Sequence, residues 1–237
     1  MYGGYYYGFD WTYILVLIGA VICMIASANV KSTFNRFAQQ RSMTGMTGAE
    51  AAQRILNHAG IYDVTIQHVS GQLTDNYNPG KKTLNLSDAV YNATSVAAIG
   101  VAAHECGHAI QHQQGYAPLN IRSAIVPVAN IGSKLAWPLI LIGLFITSDT
   151  GILFINIGII AFSLAVIFQL VTLPVEFNAS RRALVLLEKC GILSDSELPS
   201  TKKVLSAAAL TYVASAASGI LQLLRLILLT GNRRRRD

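Results

Sequence analysis

Three side chains near the middle of the chain have the residue types and the spacing that metal-dependent hydrolysis needs. His104, Glu105 and His108 form the pattern HExxH. Because residues four apart lie on one face of a helix, the two imidazoles can each offer a ring nitrogen to a single metal ion. Glu105 lies about 100° around the helix, where its carboxylate reaches a metal-bound water rather than the metal. Zinc lowers the pKa of such a water to near 7, and the glutamate takes its proton as the water attacks a carbonyl.

The HExxH pattern is short and occurs by chance, so the surrounding residues decide its meaning. Small apolar residues precede it in SVAAIGVAA, Thr94 or Ser95 can serve as the N-cap, and Gly115 can end the helix. We therefore predict one buried helix over residues 95–114. The alternative is a polar stripe on a packed helix, which two histidines and a glutamate on a buried face make the weaker interpretation.

The third ligand is not evident from the motif, although catalytic zinc usually has three protein ligands and one water. A metzincin would continue with Gly and His, but Gln111 and Gln114 occupy those positions. His112 lies one turn beyond the motif, and a third donor on one straight helix fits a tetrahedral metal poorly. Glu176, just after a long apolar run, is the better candidate, although it could serve only as an interfacial charge or a helix cap. Two histidines from one helix and a glutamate from another form a thermolysin-like ligand set.

The composition indicates a membrane protein with one compact catalytic part. Of the 237 residues, 52% are hydrophobic and 13% are charged, against about 25% charged in an average soluble chain. The net charge of +6 includes the arginines at 233–236, which we expect to meet anionic lipid or solvent rather than nucleic acid. Cys23, Cys106 and Cys190 are widely separated and odd in number, so no disulfide framework is indicated.

The first and last apolar runs bear on orientation. Residues 13–30 are uncharged, about long enough to cross a bilayer, and lack the basic start of a signal peptide. Lys31, Arg36 and Arg41 follow directly, so the positive-inside rule places the motif in the cytoplasm. Residues 204–229 could cross the bilayer, pack on the catalytic part or lie in the interface. We favour an arrangement without a crossing, which keeps the basic tail on the side of the motif.

The two middle runs predict a transmembrane hairpin. Residues 135–146 and 152–173 would cross the bilayer, with Asp149 and Gly151 in a tight turn between them. Pro174 would then start the next helix. The expected parts of the chain are an N-terminal anchor (1–30), a first part of the peptidase domain with the HExxH helix (31–121), the hairpin (122–173), a second part of the peptidase domain with the third ligand (174–203), and an apolar helix with a basic tail (204–237).

The predicted fold class is a mainly α membrane protein with three to four transmembrane helices and a zincin-like α+β catalytic domain. A capping box between Thr47 and Glu50 opens a short helix that Gly60 ends. Residues 64–69 and 82–86 alternate like strands and are joined by an Asn-Pro-Gly turn, which predicts a small antiparallel sheet. An exposed edge strand could hold an extended peptide across the metal, and a plain hairpin is the equal alternative.

The motif and its surroundings carry a resemblance to a known family. HECGH within AAHECGHAIQ, VEFNASRRAL beyond a hydrophobic hairpin, and the stretches LTDNYNPGKKTLNLSDAVY and LSAAALTYVASA resemble the bacterial YugP-type membrane zinc metallopeptidases. A more distant similarity is to the HtpX-type membrane proteases. The resemblance implies Zn²⁺ held by His104, His108 and Glu176, with Glu105 as general base. It also implies a gluzincin-like cytoplasmic domain in a multi-pass protein of the bacterial plasma membrane.

One position departs from the HtpX-type pattern, in which HExxH is paired with a later ExxxD. The acid of that pattern would support a ligand histidine from behind, and Ser180 stands at its position, with Asn178 as the other polar residue nearby. Either could accept an imidazole N–H, but without a charge. An oxyanion stabiliser is also needed, and the candidates are Tyr212, Tyr77, Arg181 and Arg182.

These patterns favour a membrane-integrated zinc endopeptidase acting on membrane or misfolded proteins. Its partners would be the lipid bilayer and a protein or peptide substrate, with no nucleic acid. One alternative is a zinc-stabilised scaffold or chaperone-like factor without turnover, against which the intact Glu105 argues. Another is an unrelated membrane protein with a chance motif. A site-2 type protease would need an Asp within residues 152–173, which hold none, and a di-iron oxygenase would need more than the five histidines present.

Overall fold

The computed structural model describes residues 10–146 and 148–233, with side chains described as far as Thr230. The N-terminal residues 1–9 and the arginines 234–236 of the predicted tail lie outside the described residues. Within the described ranges the elements are α1 (Tyr13–Ala38), α2 (Gly48–His58), β1 (Thr65–Val69), β2 (Asn76–Asn78), β3 (Thr83–Ser87), α3 (Val96–Gln113), α4 (Ala117–Phe145), α5 (Asp149–Lys189) and α6 (Leu198–Arg233).

The helix that carries the motif, α3, begins and ends where the sequence predicts. The Ser95 hydroxyl accepts a hydrogen bond from the Ala98 N–H at 3.2 Å. Gly115, just past the C-cap, has a φ of +60°, a conformation that glycine adopts without strain. Most of α3 is buried, so each polar side chain on it needs a partner.

The predicted short helix α2 is also confirmed, together with its capping box. The Thr47 hydroxyl accepts from the Glu50 N–H at 3.2 Å, and the Glu50 carboxylate accepts from the Thr47 N–H at 2.8 Å. Ile55 and Leu56 of α2 are fully buried in the core that α2 shares with β3, α3 and the end of α5. This core fixes the position of α3.

The predicted antiparallel pairing of two strands is wrong. β1 and β3 pair in parallel, with Thr65 opposite Thr83, and β2 pairs antiparallel with β3, with Asn76 opposite Asn85. The strand order β1-β3-β2 gives a small mixed sheet. The prediction failed because the three residues of β2 were taken as part of the turn. The Asn-Pro-Gly turn joins β2 to β3, and not β1 to β3 as predicted. β2 is consequently an edge strand, and it contacts α3.

The apolar hairpin of α4 and α5 is packed through small residues. A Cβ added at Gly132 would lie 2.8 Å from the Ala161 carbonyl oxygen, and one at Gly158 would lie 2.9 Å from that of Ala136. Such close backbone approach is typical of membrane helix pairs. Within the described residues, the four helices α1, α4, α5 and α6 are long and apolar enough to cross a membrane.

Two details of the predicted hairpin are wrong. Asp149 and Gly151 lie in the first turn of α5 rather than in a tight turn, and Pro174 lies inside α5 rather than at a helix start. A proline inside a helix removes one backbone hydrogen bond, but neighbouring helices can make up for that loss in membrane helices. Glu176 therefore stands on the same continuous helix as the apolar run before it.

Helix α6 runs antiparallel along α1. At one end Lys203 Nζ lies 6.0 Å from the centre of the Phe37 ring, and at the other Arg225 Nη2 lies 3.5 Å from Asp10 Oδ2. Arg225 is buried and lies over the ring of Tyr13 at 4.0 Å. The described residues of α6 therefore end beside the start of α1, and the side of the membrane on which the basic tail lies stays a prediction.

A buried carboxylate ties the chain after α1 to the loop before α6. Glu197 is 3% exposed, and it accepts hydrogen bonds from the backbone N–H groups of Met43 and Ser194, each at 2.8 Å. Burial alone would raise the pKa of Glu197, but these N–H donors favour the charged form and hold the pKa below 4.5.

Candidate metal centre

Two helices bring the predicted ligands together. His104 and His108 lie one turn apart on α3, and Glu176 lies on α5. The helices approach closely because residue 107 is a glycine, at which an added Cβ would lie 2.7 Å from the Ala179 carbonyl oxygen. The second variable position of HExxH thus has a packing role in this chain.

The donor atoms form a nearly equilateral triangle. The two Nε2 atoms of His104 and His108 are 3.2 Å apart, and Glu176 Oε2 is 3.2 Å from the first and 3.5 Å from the second. Ligands at 2.0–2.1 Å from a tetrahedral zinc ion are separated by about 3.3 Å, so this triangle matches one face of such a site. Among residues 10–146 and 148–233, no other group of three such side chains converges in this way. His112 is outside the cluster, and its Nδ1 is 2.9 Å from the Tyr77 hydroxyl.

The ring nitrogens that face away from the triangle each have a polar partner. His104 Nδ1 is 3.1 Å from Ser180 Oγ, and His108 Nδ1 is 3.0 Å from Gln111 Oε1. The Gln111 amide nitrogen donates to the Val175 carbonyl at 2.9 Å, so its oxygen faces His108 as an acceptor. In its neutral form His108 therefore carries its proton on Nδ1 and keeps a lone pair on Nε2, the form in which an imidazole binds a metal.

Asn178 contacts Gln111 rather than a histidine. Its Oδ1 accepts from Gln111 Nε2 at 2.9 Å and from Arg182 Nε at 2.7 Å, and Arg182 also donates to Gln114 Oε1 at 2.7 Å. The two glutamines that stand at the metzincin positions thus belong to a polar network between α3 and α5. The network occupies Arg182, which sequence reasoning had considered for the oxyanion.

The sequence reasoning missed Arg122 as a partner of the third ligand. Arg122 Nη1 donates to Glu176 Oε1 at 3.1 Å, and the Glu176 side chain is only 3% exposed. A buried carboxylate needs such a partner, and the pair leaves Oε2 directed to the two histidines. A lone arginine inside a long apolar stretch was the available signal.

Glu105 faces a cavity of about 520 Å³ beside the triangle. Glu105 is 8% exposed, and one of its oxygens accepts the backbone N–H of Tyr77 in β2 at 2.9 Å. One wall of the cavity is the start of α4, with Leu119, Ser123 and Val126 on one helix face. The cavity therefore lies between the edge strand and a helix that enters the apolar hairpin.

The four oxyanion candidates have different surroundings. Tyr212 lines the cavity together with Glu105 and Glu176. The Tyr77 hydroxyl is bonded to His112, and Arg182 is held in the network described above. Arg181 is exposed and is not part of the cavity wall.

The charges around His108 favour its protonated form in the metal-free protein. Burial acts to lower the pKa of His108, but the hydrogen bond with Glu176 and the charge of Glu105 act more strongly, so the pKa is raised above 6.5. A proton on Nε2 and a metal would occupy the same face, so the two compete.

Comparison with known proteins identifies similar sequences. A family model described as "Putative neutral zinc metallopeptidase" matches residues 12–231. The chain is similar to "Putative membrane protease YugP" of Bacillus subtilis (strain 168), with 46% identity over 209 residues that cover 88% of this chain and 92% of the relative. No solved structure matches the chain.

Proposed function

The chain belongs to this zinc metallopeptidase family, and from that premise we propose that it is a membrane-integrated endopeptidase with a gluzincin-like centre. The observation that carries the proposal is the triangle of 3.2, 3.2 and 3.5 Å between donor atoms of His104, His108 and Glu176. Three lone-pair atoms so close together repel each other unless a cation or protons lie among them.

Each residue of the centre has a proposed role. His104, His108 and Glu176 would hold zinc, which would supply a Lewis acid to activate a water and to polarise the scissile carbonyl. Glu105 takes the proton of the attacking water and passes it to the leaving amine. Tyr212 donates a hydrogen bond to the oxyanion, a role supported by its position in the cavity wall.

The position of the cavity supports a substrate held near the bilayer. An extended peptide could lie between the edge strand β2, whose Tyr77 N–H is bonded to Glu105, and the exposed face of α4. Because α4 continues into the apolar hairpin, segments next to a membrane span would reach this cavity most easily. We propose membrane or misfolded membrane proteins as substrates.

We further propose that the site faces the cytoplasm of a bacterial cell, on the side to which the basic residues after α1 point. The test uses Tyr62, which is 80% exposed on the part of the chain that carries the site. In a cysteine-free background, Tyr62→Cys should react with a membrane-impermeant maleimide only after the cells are opened. Labelling in intact cells would reverse the orientation.

The test of activity combines zinc content with cleavage of an unfolded protein such as casein. The purified protein should contain one zinc per chain, and Glu105→Gln should keep the zinc and lose cleavage by about 10²- to 10⁴-fold. Glu176→Ala should lose zinc. Glu188→Gln, which changes an exposed glutamate outside the cavity, is the matched control. Zinc without cleavage that depends on Glu105 would favour a zinc-stabilised scaffold, and absence of zinc would overturn the centre.

A further inference from the structure

A second concave surface lies between α1 and α6, at the ends of these helices nearest the core of α2, β3 and α3. This groove has a volume of about 490 Å³, and it is lined by Arg36, Phe37, Lys202, Lys203, Ser206 and Leu210 among others. It shares no residue with the cavity beside Glu105. Its function is therefore separate from the metal centre.

The groove has a strong positive charge that the described protein does not neutralise. Arg36, Lys202 and Lys203 are all exposed, and within residues 10–146 and 148–233 none of them pairs with a carboxylate. No acidic side chain lines the groove. The nearby Glu197 is already bonded to backbone N–H groups.

The floor of the groove brings the cations together. Phe37 is 8% exposed; Arg36 Cζ lies 5.4 Å from its ring centre, and Lys203 Nζ lies 6.0 Å from it. The aromatic ring attracts both cations, so both charges stay near Phe37 although they belong to different helices. A phosphate group in the groove that both residues line would lie beside both charges.

If α1 crosses the bilayer over its apolar run, the groove lies next to the lipid headgroups. That run ends at Val30, and at 1.5 Å per residue Arg36 stands about 9 Å beyond that end. The polar layer on each side of a bilayer is about 5–8 Å thick, so Arg36 lies at the outer edge of this layer. Long cationic side chains can reach back from there towards the lipid phosphates.

Apolar residues continue from the groove along α6 in the direction of the bilayer. Leu210 lies about two helical turns after Lys203, and Val213 lies about one turn after Leu210. Their side chains are 50% and 37% exposed. On the facing helix, Ile25 is 64% exposed. A molecule with an anionic head and an apolar chain would contact both the cationic groove and the apolar residues beyond it, whereas a free anion would contact only the groove.

We propose that this groove binds one anionic glycerophospholipid, with its phosphate between Arg36, Lys202 and Lys203 and an acyl chain along Leu210. Binding of this lipid would hold α1 and α6 together at the end of the pair that carries the catalytic core. The proposal does not depend on the peptidase function.

The test is native mass spectrometry of the full-length protein in detergent, titrated with dioleoyl phosphatidylglycerol or dioleoyl phosphatidylcholine. We expect one phosphatidylglycerol to bind about tenfold more tightly than phosphatidylcholine. The double variant Lys202→Gln/Lys203→Gln should lose most of that preference, and its zinc content should equal that of the wild type. Lys81→Gln/Lys189→Gln removes the same charge from outside the groove and should keep the preference.

Three outcomes would overturn the proposal. The first is equal binding of the two lipids by the wild-type protein, and the second is an equal loss of preference in both double variants. The third is full competition by glycerophosphoglycerol, the headgroup without chains, or by inorganic phosphate at the same concentration as the lipid, which would assign the groove to a soluble anion. The melting temperature of each variant identifies a loss caused by unfolding.

Discussion

The close contact between α3 and α5 offers a sharp test of how the metal centre is positioned. In Gly107→Ala the new Cβ would lie 2.7 Å from the Ala179 carbonyl oxygen, where ordinary van der Waals contact begins at 3.4 Å. The two helices must therefore separate by about 0.7 Å. Both partners are helical backbone, so no flexible side chain can yield instead.

We expect the separation of α3 and α5 to lower zinc affinity more than it lowers the stability of the fold. Alanine is favoured over glycine in a helix by about 1 kcal/mol, and overpacking disfavours it by about 1–3 kcal/mol, so the net loss of stability is about 0–2 kcal/mol. Metal sites tolerate displacements of about 0.5 Å or less. Because Glu176 moves with α5, we expect zinc affinity to fall by about 10- to 100-fold, the range seen when ligands lose their support.

Gly132→Ala is the matched control. Its Cβ would lie 2.8 Å from the Ala161 carbonyl oxygen, so the same substitution makes a similar clash in the hairpin, away from the ligands. Zinc affinity is measured by competition with a chromogenic chelator, and stability by thermal unfolding in detergent. Wild-type affinity in Gly107→Ala, or an equal loss in Gly132→Ala, would refute the reasoning.

Three further predictions test neighbouring features. Gln111→Leu removes the acceptor that keeps the His108 proton on Nδ1, so zinc affinity measured with the same chelator should fall about 10- to 100-fold, while Gln111→Glu should keep it. Tyr212→Phe should lower kcat for casein by about 10- to 1,000-fold with zinc content unchanged, and an unchanged kcat would remove Tyr212 from the mechanism. The lowered pKa of Glu197 stabilises the fold above its unfolded pKa, and this contribution is lost as the pH falls through the folded value. The melting temperature of the wild type should therefore fall more steeply below pH 4.5 than that of Glu197→Gln.

The motif helix and the convergence of Glu176 with the two histidines could be predicted because short stretches of sequence indicate them. Ser95 and Gly115 mark the ends of α3 by capping and backbone conformation, whichever way the rest of the chain folds. Glu176 could be found because a zincin-like centre needs an acid from a second helix, and few acids follow the apolar hairpin. Such signals are contained in a few consecutive residues.

The partners of the ligands could not be predicted because they depend on how helices pack. Arg122 and Gln111 meet Glu176 and His108 only when α3, α4 and α5 have their relative positions, which no local pattern encodes. The predicted helix start at Pro174 was wrong because packing of the long helix α5 overrides the local preference of proline for the first turn of a helix. The sheet misled for a similar reason, since its pairing depends on a strand of three residues.

The order of the ligands along the chain has a consequence for biosynthesis. His104 and His108 are made before the hairpin, whereas Glu176 follows it on the helix that is itself a candidate span. A ribosome must complete the hairpin before the third donor exists, and α5 must pack against α3 before that donor reaches the histidines. If the centre is a peptidase, its activity then begins only after membrane insertion. Nascent or untargeted chains would therefore lack the complete set of ligands.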